Sequence, residues 1–135
     1  MPRSGSLPPT RGTGPRRLRS PSSWRASVVR GDVHELRAPR AARGREQRGQ
    51  RYGVVLQSTR FLALSTVIVA PTSASVRGAS FRPVIELQGE TTRVLVEQLC
   101  ALDYSRLGDR VGGLAHEELA DVDRALDLLL GLRAG

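Results

Sequence analysis

A small antiparallel β-barrel or half-barrel with one C-terminal helix, an α+β fold that is mainly β, is the architecture this sequence predicts. Three observations carry it. Short apolar runs rich in β-branched residues follow one another between Val33 and Gln98, each bounded by a turn signal. A stripe of leucine, valine and alanine at helical spacing runs from Leu119 to Leu130. The length of 135 residues suits one hydrophobic core and leaves little for a second.

The chain divides into residues 1–28 and a folded domain, 29–135. Positions 1–27 hold six Arg, five Pro and no acid, with Trp24 the only aromatic, so they cannot bury enough apolar surface to offset their ordering entropy. They read as a disordered extension. Two roles stay open for it: an arm adding salt-dependent attraction to phosphates, or an upstream mis-start with translation beginning at Val28 or Val29. The Arg16-Arg17 pair is not followed by an apolar region, which argues against a secretory or twin-arginine signal. No apolar run is long enough to span a membrane, and the expected location is the cytoplasm.

Within the domain, Val33 and Leu36 with polar neighbours suggest a first short strand. Ala38 to Arg43 is a basic, proline-containing loop that leads into the glycine-bounded, polar segment Gly44 to Gln50. Tyr52 to Gln57 is a near-continuous apolar run, as in a central strand buried on both faces. After a turn or short helix through Ser58 to Leu64, Thr66 to Ala70 repeats the pattern. Pro71, which has no N–H to give to a ladder, is expected to end it. Arg82 to Leu87 and Arg93 to Gln98 are the next expected strands, joined by a tight turn around Gln88-Gly89-Glu90. In the helix, Leu119, Val122, Leu126 and Leu129 form the stripe, and Ala125 and Leu130 widen it. Glu117, Glu118 and Asp121 complement the macrodipole in the first turns, and Gly131 supplies a stop. Ala115 offers no side-chain acceptor as an N-cap.

Charge is distributed unevenly. Every basic residue is arginine; fourteen lie in residues 1–60 against three acids, and seven lie in 61–135 against ten. Such a front half suits a polyanion-facing surface. One cysteine, Cys100, excludes an internal disulfide, and two distant histidines, His34 and His116, disfavour a metal site; no cofactor is expected. Arg51 stands where the mobile loop enters the buried strand. Glu46 is the only carboxylate from Gly44 to Arg60. A lone acid among arginines is what an anionic, proton-transferring site needs, although a solvated loop has the same composition.

Several motifs then fall in one order: Arg30-Gly31-Asp32; Gly44-x-Glu46-Gln47-x-Gly49-x-Arg51; Val54-Val55-Leu56; Thr66 through Ser73; Val96-Glu97-Gln98; Ser105-Arg106-Leu107-Gly108-x-Arg110-Val111-Gly112; Val122-Asp123-x-Ala125-Leu126 and Leu130-Gly131-Leu132. Together they resemble the MazF/PemK family of toxin endoribonucleases across residues 29–132. The resemblance implies an SH3-like (CcdB/MazF-type) antiparallel β-barrel and a homodimer. It implies a cognate MazE-like antitoxin with an acidic tail, and metal-independent cleavage of single-stranded RNA at short words. Three departures stand out: His34 lies where the family's first strand commonly has an aromatic, Tyr52 follows the arginine in place of proline, and Ser73 occupies the family's threonine position.

Metal-free RNA cleavage uses the substrate's 2′-hydroxyl as nucleophile, so a site needs a proton acceptor, a stabiliser for charge on phosphorus oxygens and a donor near the leaving oxygen. The matching positions are Glu46, Arg51 and the Thr72-Ser73 pair. Arg51 carries forked donors and a permanent charge. Glu46 accepts the proton or orients Arg51, and either hydroxyl can face the phosphate. Arg45, Gln47 and Arg48 are candidate RNA contacts in the loop, and Gln98 a candidate base-edge reader. His34 is a candidate stacking partner or a strand residue on a half-exposed face. Two other functions fit parts of the sequence. One is a same-fold inhibitor that binds a protein such as DNA gyrase; the other is a catalytically silent RNA-binding module.

Overall fold

The computed structural model describes residues 28–38, 51–61 and 64–132. Seven strands and one long helix follow in order: β1 (Asp32–Leu36), β2 (Tyr52–Val55), β3 (Thr66–Ser73), β4 (Val84–Leu87), β5 (Glu90–Val94), β6 (Cys100–Asp103), β7 (Leu107–Gly113) and α1 (His116–Leu130). All pairings are antiparallel. The strand order is β4-β5-β3-β2-β1-β7, with β6 also paired to β3, which makes a curled half-barrel.

The curl divides the core in two. Val54 and Val55 are consecutive and both fully buried, one in each cluster, which accounts for the continuous apolar run of β2. Val33, Val54, Ala70, Ile85, Val94 and Val96 pack with Val122 and Ala125 of α1. Val28, Val55, Val67, Val69, Leu102, Tyr104 and Leu107 form the second cluster. Gly53 lets β2 lie close under the Leu36 side chain: a Cβ there would meet the Leu36 methyls at 3.0 and 3.1 Å.

Several expectations change in detail. Pro71 does not end its strand; β3 continues through Thr72 and Ser73. Pro71 sits where β3 leaves β6 and meets β5, and its carbonyl accepts the Leu95 N–H at 2.8 Å, so a missing donor costs little there. The strand expected from Arg93 to Gln98 instead closes at Val94, and Val96–Gln98 is a single 3-10 turn. The strand expected from Arg82 begins after Pro83, at Val84. The tight turn lies where expected, with positive φ at both Gln88 (54°) and Gly89 (81°), as a two-residue hairpin of this twist demands.

Helix α1 ends at Gly131, in the left-handed region with its N–H on the Asp127 carbonyl. At its start Ala115 makes no side-chain cap bond, but Glu118 reaches back: Oε1 accepts the Ala115 N–H at 2.8 Å and Oε2 accepts the Glu86 N–H of β4 at 2.9 Å. Arg30 adds a second tether, giving Nε to the Leu56 carbonyl and Nη2 to Asp123, both at 2.7 Å. No helix among the described residues is long and apolar enough to cross a membrane.

One carboxylate therefore caps the helix and docks it on the sheet. Glu118→Ala is expected to lower stability by about 1–2 kcal/mol, since two backbone donors lose their partner. Urea denaturation reads this as a lower midpoint at unchanged slope, and an unmoved midpoint would refute the docking role.

Candidate functional site

Arg51 immediately precedes β2. Its carbonyl accepts the Leu36 N–H at 2.8 Å, which pins the residue's backbone against the end of β1 while its side chain stays exposed. The register of β2 on β3, Gly53 opposite Pro71, brings Thr72 and Ser73 beside it. Thr72 Oγ1 points toward the Tyr52 carbonyl at 3.5 Å, and Ser73 Oγ accepts the Ser75 N–H at 3.2 Å. Tyr52 is half-buried and packs against the first core cluster.

Two depressions meet at Arg51, which lines both. The first, about 320 Å³, brings Arg51 together with Thr72, Ser73, Gln88, Glu90 and Thr92. The second, about 310 Å³, is walled by Arg37, Arg51, Arg106, Gln98 and Cys100 over an apolar floor of Leu36, Val69, Pro71 and Leu102. Arg37 and Arg106 hold each other's backbone: the Arg37 N–H reaches the Arg106 carbonyl at 2.8 Å, and Arg106 Nε reaches the Arg37 carbonyl at 2.9 Å. Among the described residues, no carboxylate pairs with Arg37, Arg51 or Arg106, whereas Arg30, Arg82, Arg110 and Arg124 each have one. The shared edge of the two depressions is thus a concentration of free positive charge beside hydroxyl donors. Such a place can hold a chain of phosphates, with bases resting on the apolar floor.

The structure brings Arg51, Thr72, Ser73 and Gln98 into one region. Glu46, Arg45, Gln47 and Arg48 lie outside the described residues. His34 is not on a half-exposed face. It is 5% exposed, its Nδ1–H donates to the Gly108 carbonyl at 2.8 Å, and Nε2 is buried with no partner among the described residues. Strand β7 covers it, so its ring offers no face for a base to stack on. Arg110 serves the scaffold, with Nε 3.0 Å from Asp32 Oδ1 while Oδ2 accepts the Val29 N–H at 2.9 Å. Arg37, Arg106 and Glu90 were not legible as a group, because only the register of β1, β5 and β7 brings them to Arg51. The hints were the density of arginine in the front half for Arg37 and the family-like stretch Ser105 to Gly112 for Arg106.

Comparison with known proteins follows the same outline. Residues 29–130 match the family described as PemK-like, MazF-like toxin of type II toxin-antitoxin system. A candidate toxin of Mycobacterium tuberculosis is 42% identical over 106 residues, covering 78% of this chain and 99% of the relative. The endoribonuclease MazF of Staphylococcus epidermidis is 33% identical over 112 residues, covering 78% and 92%. Among solved structures, MazF from Deinococcus radiodurans superposes with a TM-score of 0.63 at 25% identity, covering 77% of this chain and 96% of that one. A mycobacterial endoribonuclease in complex with its cognate antitoxin gives 0.64 at 18% identity, covering 78% and 96%, a likeness of fold.

Cys100 reports on the charge of the second depression, being exposed and the sole thiol. At low salt an anionic thiol reagent should label it several-fold faster than a neutral reagent of equal size, and the gap should close as salt rises. Mass-spectrometric labelling rates test this; equal rates at low salt would show that the arginines do not act as one field.

Proposed function

The chain belongs to the PemK/MazF family of toxins of type II toxin–antitoxin systems, and from that premise we propose that it is an endoribonuclease that cleaves single-stranded RNA at short sequence words without a metal. The observation that carries the reading is Arg51 at the common edge of two depressions, with hydroxyls on one side and, on the other, the guanidinium groups of Arg37 and Arg106, which pair with no carboxylate among the described residues. RNA crossing this edge presents its scissile phosphate to Arg51 and its flanking nucleotides to the two hollows.

The reaction follows from the groups present. The 2′-hydroxyl oxygen attacks the adjacent phosphorus, and its proton passes to the Glu46 carboxylate. Arg51 stabilises the extra charge on the non-bridging oxygens as the pentacoordinate state forms, and Ser73 or Thr72 donates a further hydrogen bond to one of them. The bond to the 5′-oxygen breaks, that oxygen takes a proton from water, Glu46 gives its proton back to the solvent, and the products are a 2′,3′-cyclic phosphate and a 5′-hydroxyl. A nucleophile already built into the substrate needs no metal-bound water, which is why the reading includes metal independence. Arg45, Gln47, Arg48, Arg37 and Arg106 serve as RNA contacts, and Gln98 reads a base edge.

Cleavage of mRNA would halt translation and growth, in the cytoplasm where RNA is translated. A cognate MazE-like antitoxin is the proposed partner, its acidic segment competing with RNA for the same arginines. The active form is proposed to be a homodimer. Leu128, Leu129, Leu130 and Leu132 at the end of α1 are exposed and support a protein-binding surface there. Residues 1–28 are proposed to lie outside the catalytic domain.

The full-length protein, incubated with a long unstructured RNA in EDTA, should make discrete cuts that primer extension maps to one word. Arg51→Ala should reduce the rate by about 10²–10³ or more with fold and oligomeric state unchanged, and should abolish growth arrest. Growth arrest that survives Arg51→Ala would instead favour inhibition through protein binding. Comparing Ser73→Ala with Thr72→Val assigns the hydroxyl: the variant with the larger fall in kcat removes the donor that faces the phosphate.

A further inference from the structure

Between β3 and β4 the chain makes a ten-residue excursion, from Ala74 to Pro83, that leaves the hydroxyl-lined depression directly after Ser73. Its far end is tied down by one side chain. Arg82 gives both Nε and Nη2 to Glu97 Oε2, at 3.1 and 2.8 Å, and gives Nη1 to the Arg77 carbonyl at 3.0 Å. All three guanidinium nitrogens are thereby committed. The Arg82 carbonyl in turn accepts Arg93 Nη1 at 3.0 Å. Both side chains of the ion pair are about four-fifths buried, at 23% and 22% exposure.

Glu97 is the middle residue of the turn Val96–Gln98. Val96 before it is fully buried in the core, and Gln98 after it is exposed and lines the second depression. The Gln98 N–H bonds the Leu95 carbonyl at 2.9 Å, and the Leu95 N–H bonds the Pro71 carbonyl at 2.8 Å, two residues before Ser73. The Arg82–Glu97 bridge therefore closes a ring. It runs from Pro71 through Ser73 and the excursion to Arg82, across to Glu97, and back through Leu95. One arc of that ring borders each depression.

The second carboxylate oxygen gives this ring a preferred state. Glu97 Oε1 is buried with no hydrogen-bond partner among the described residues, so the carboxylate is held inward by Arg82 alone. Removing Arg82 would leave a buried charge without its counter-ion, which is far costlier than losing a surface pair. The relief is for Glu97 to turn toward water, which loosens the three-residue turn that it shares with Gln98.

We propose that Arg82 is a positioning residue that governs which RNA word is cut: through Glu97 it holds Gln98 in the orientation that reads one base, while the chemistry at Arg51 proceeds without it. This rests on the endoribonuclease reading above. A residue that serves stability alone would, when lost, lower cleavage of every word together. A residue that orients Gln98 would relax discrimination at one position of the word, the same position that Gln98 itself governs.

The test maps cut sites of the full-length wild type, Arg82→Gln, Arg82→Lys, Gln98→Ala and the double variant Arg82→Gln/Gln98→Ala, by primer extension on two long RNAs of unrelated sequence, with melting temperatures measured in parallel. Arg82→Gln is expected to accept additional words that differ at a single position, lowering the kcat/KM ratio between preferred and altered word by about tenfold, with kcat on the preferred word within about threefold of wild type. Gln98→Ala should relax that same position, and the double variant should relax it no further. Arg82→Lys, with one nitrogen where two bond Glu97, should fall between. A uniform loss across words that tracks a lowered melting temperature would overturn the proposal, as would unaltered words in Arg82→Gln or relaxation at a different position from Gln98→Ala. A wild type that cuts neither RNA would bring down the endoribonuclease reading and this inference with it; unaltered words beside an active wild type would bring down the inference alone.

Discussion

The structure depends on how one strand, β3, distributes its hydrogen bonds. Along one edge Val69 to Pro71 pair with β2; along the other, Thr66 to Val69 pair with β6 and Thr72 to Ser73 with β5. The sheet curls where β6 gives way to β5, so that one strand takes part in two sheets. That change of partner falls at Pro71, the one residue of β3 that has no N–H to lose from a ladder. The curl creates two concave sides and therefore two cores, and it brings the end of β3 against the start of β2. Arg51 and the two hydroxyls are neighbours because of this register and not because of any contact between their side chains.

Legibility in the sequence follows the same physics. Strand β2 could be read because burial on both faces leaves an unbroken apolar run, and α1 because a half-buried helix leaves a stripe with a glycine at its end. Strand β7 could not: Leu107–Gly113 contains three glycines, an aspartate and an arginine, and its register on β1 shifts twice. Its extended form comes from its partner rather than from its own residues. That omission explains the misplacement of His34. With only β2 beside it, β1 would have an open edge and a half-exposed histidine; with β7 added, the ring is sealed and bonded to Gly108. At the helix start Ala115 makes no side-chain cap bond, as its sequence implies, and Glu118 adds to its place near the dipole's positive end an acceptor for the Ala115 N–H.

At the site, the residues that stand at strand ends were legible, and those that converge across strands were not. Arg51 and the Thr72-Ser73 pair mark the entrance and exit of apolar runs, where a fixed backbone meets solvent, and the family resemblance carries their roles. Arg37 and Arg106 are separated by most of the domain in sequence, yet their backbones are hydrogen-bonded to each other. Nothing in composition distinguishes them from Arg30 or Arg110, which brace the scaffold through Asp123 and Asp32.

This partition of arginines is the strongest physical mark of function in the molecule. The chain has carboxylates to spare in its second half, and it places three of them, Asp123, Glu97 and Asp121, on Arg30, Arg82 and Arg124, while Asp32 of the first half holds Arg110, all away from the floor of the second depression. Among the described residues, Glu90 is the sole carboxylate that lines either hollow. Among the described residues no carboxylate is paired with Arg37, Arg51 or Arg106, and three like charges so gathered favour the entry of an anion. An anion that binds only the folded protein stabilises it by an amount that grows with the logarithm of the anion's concentration once the site is mostly filled.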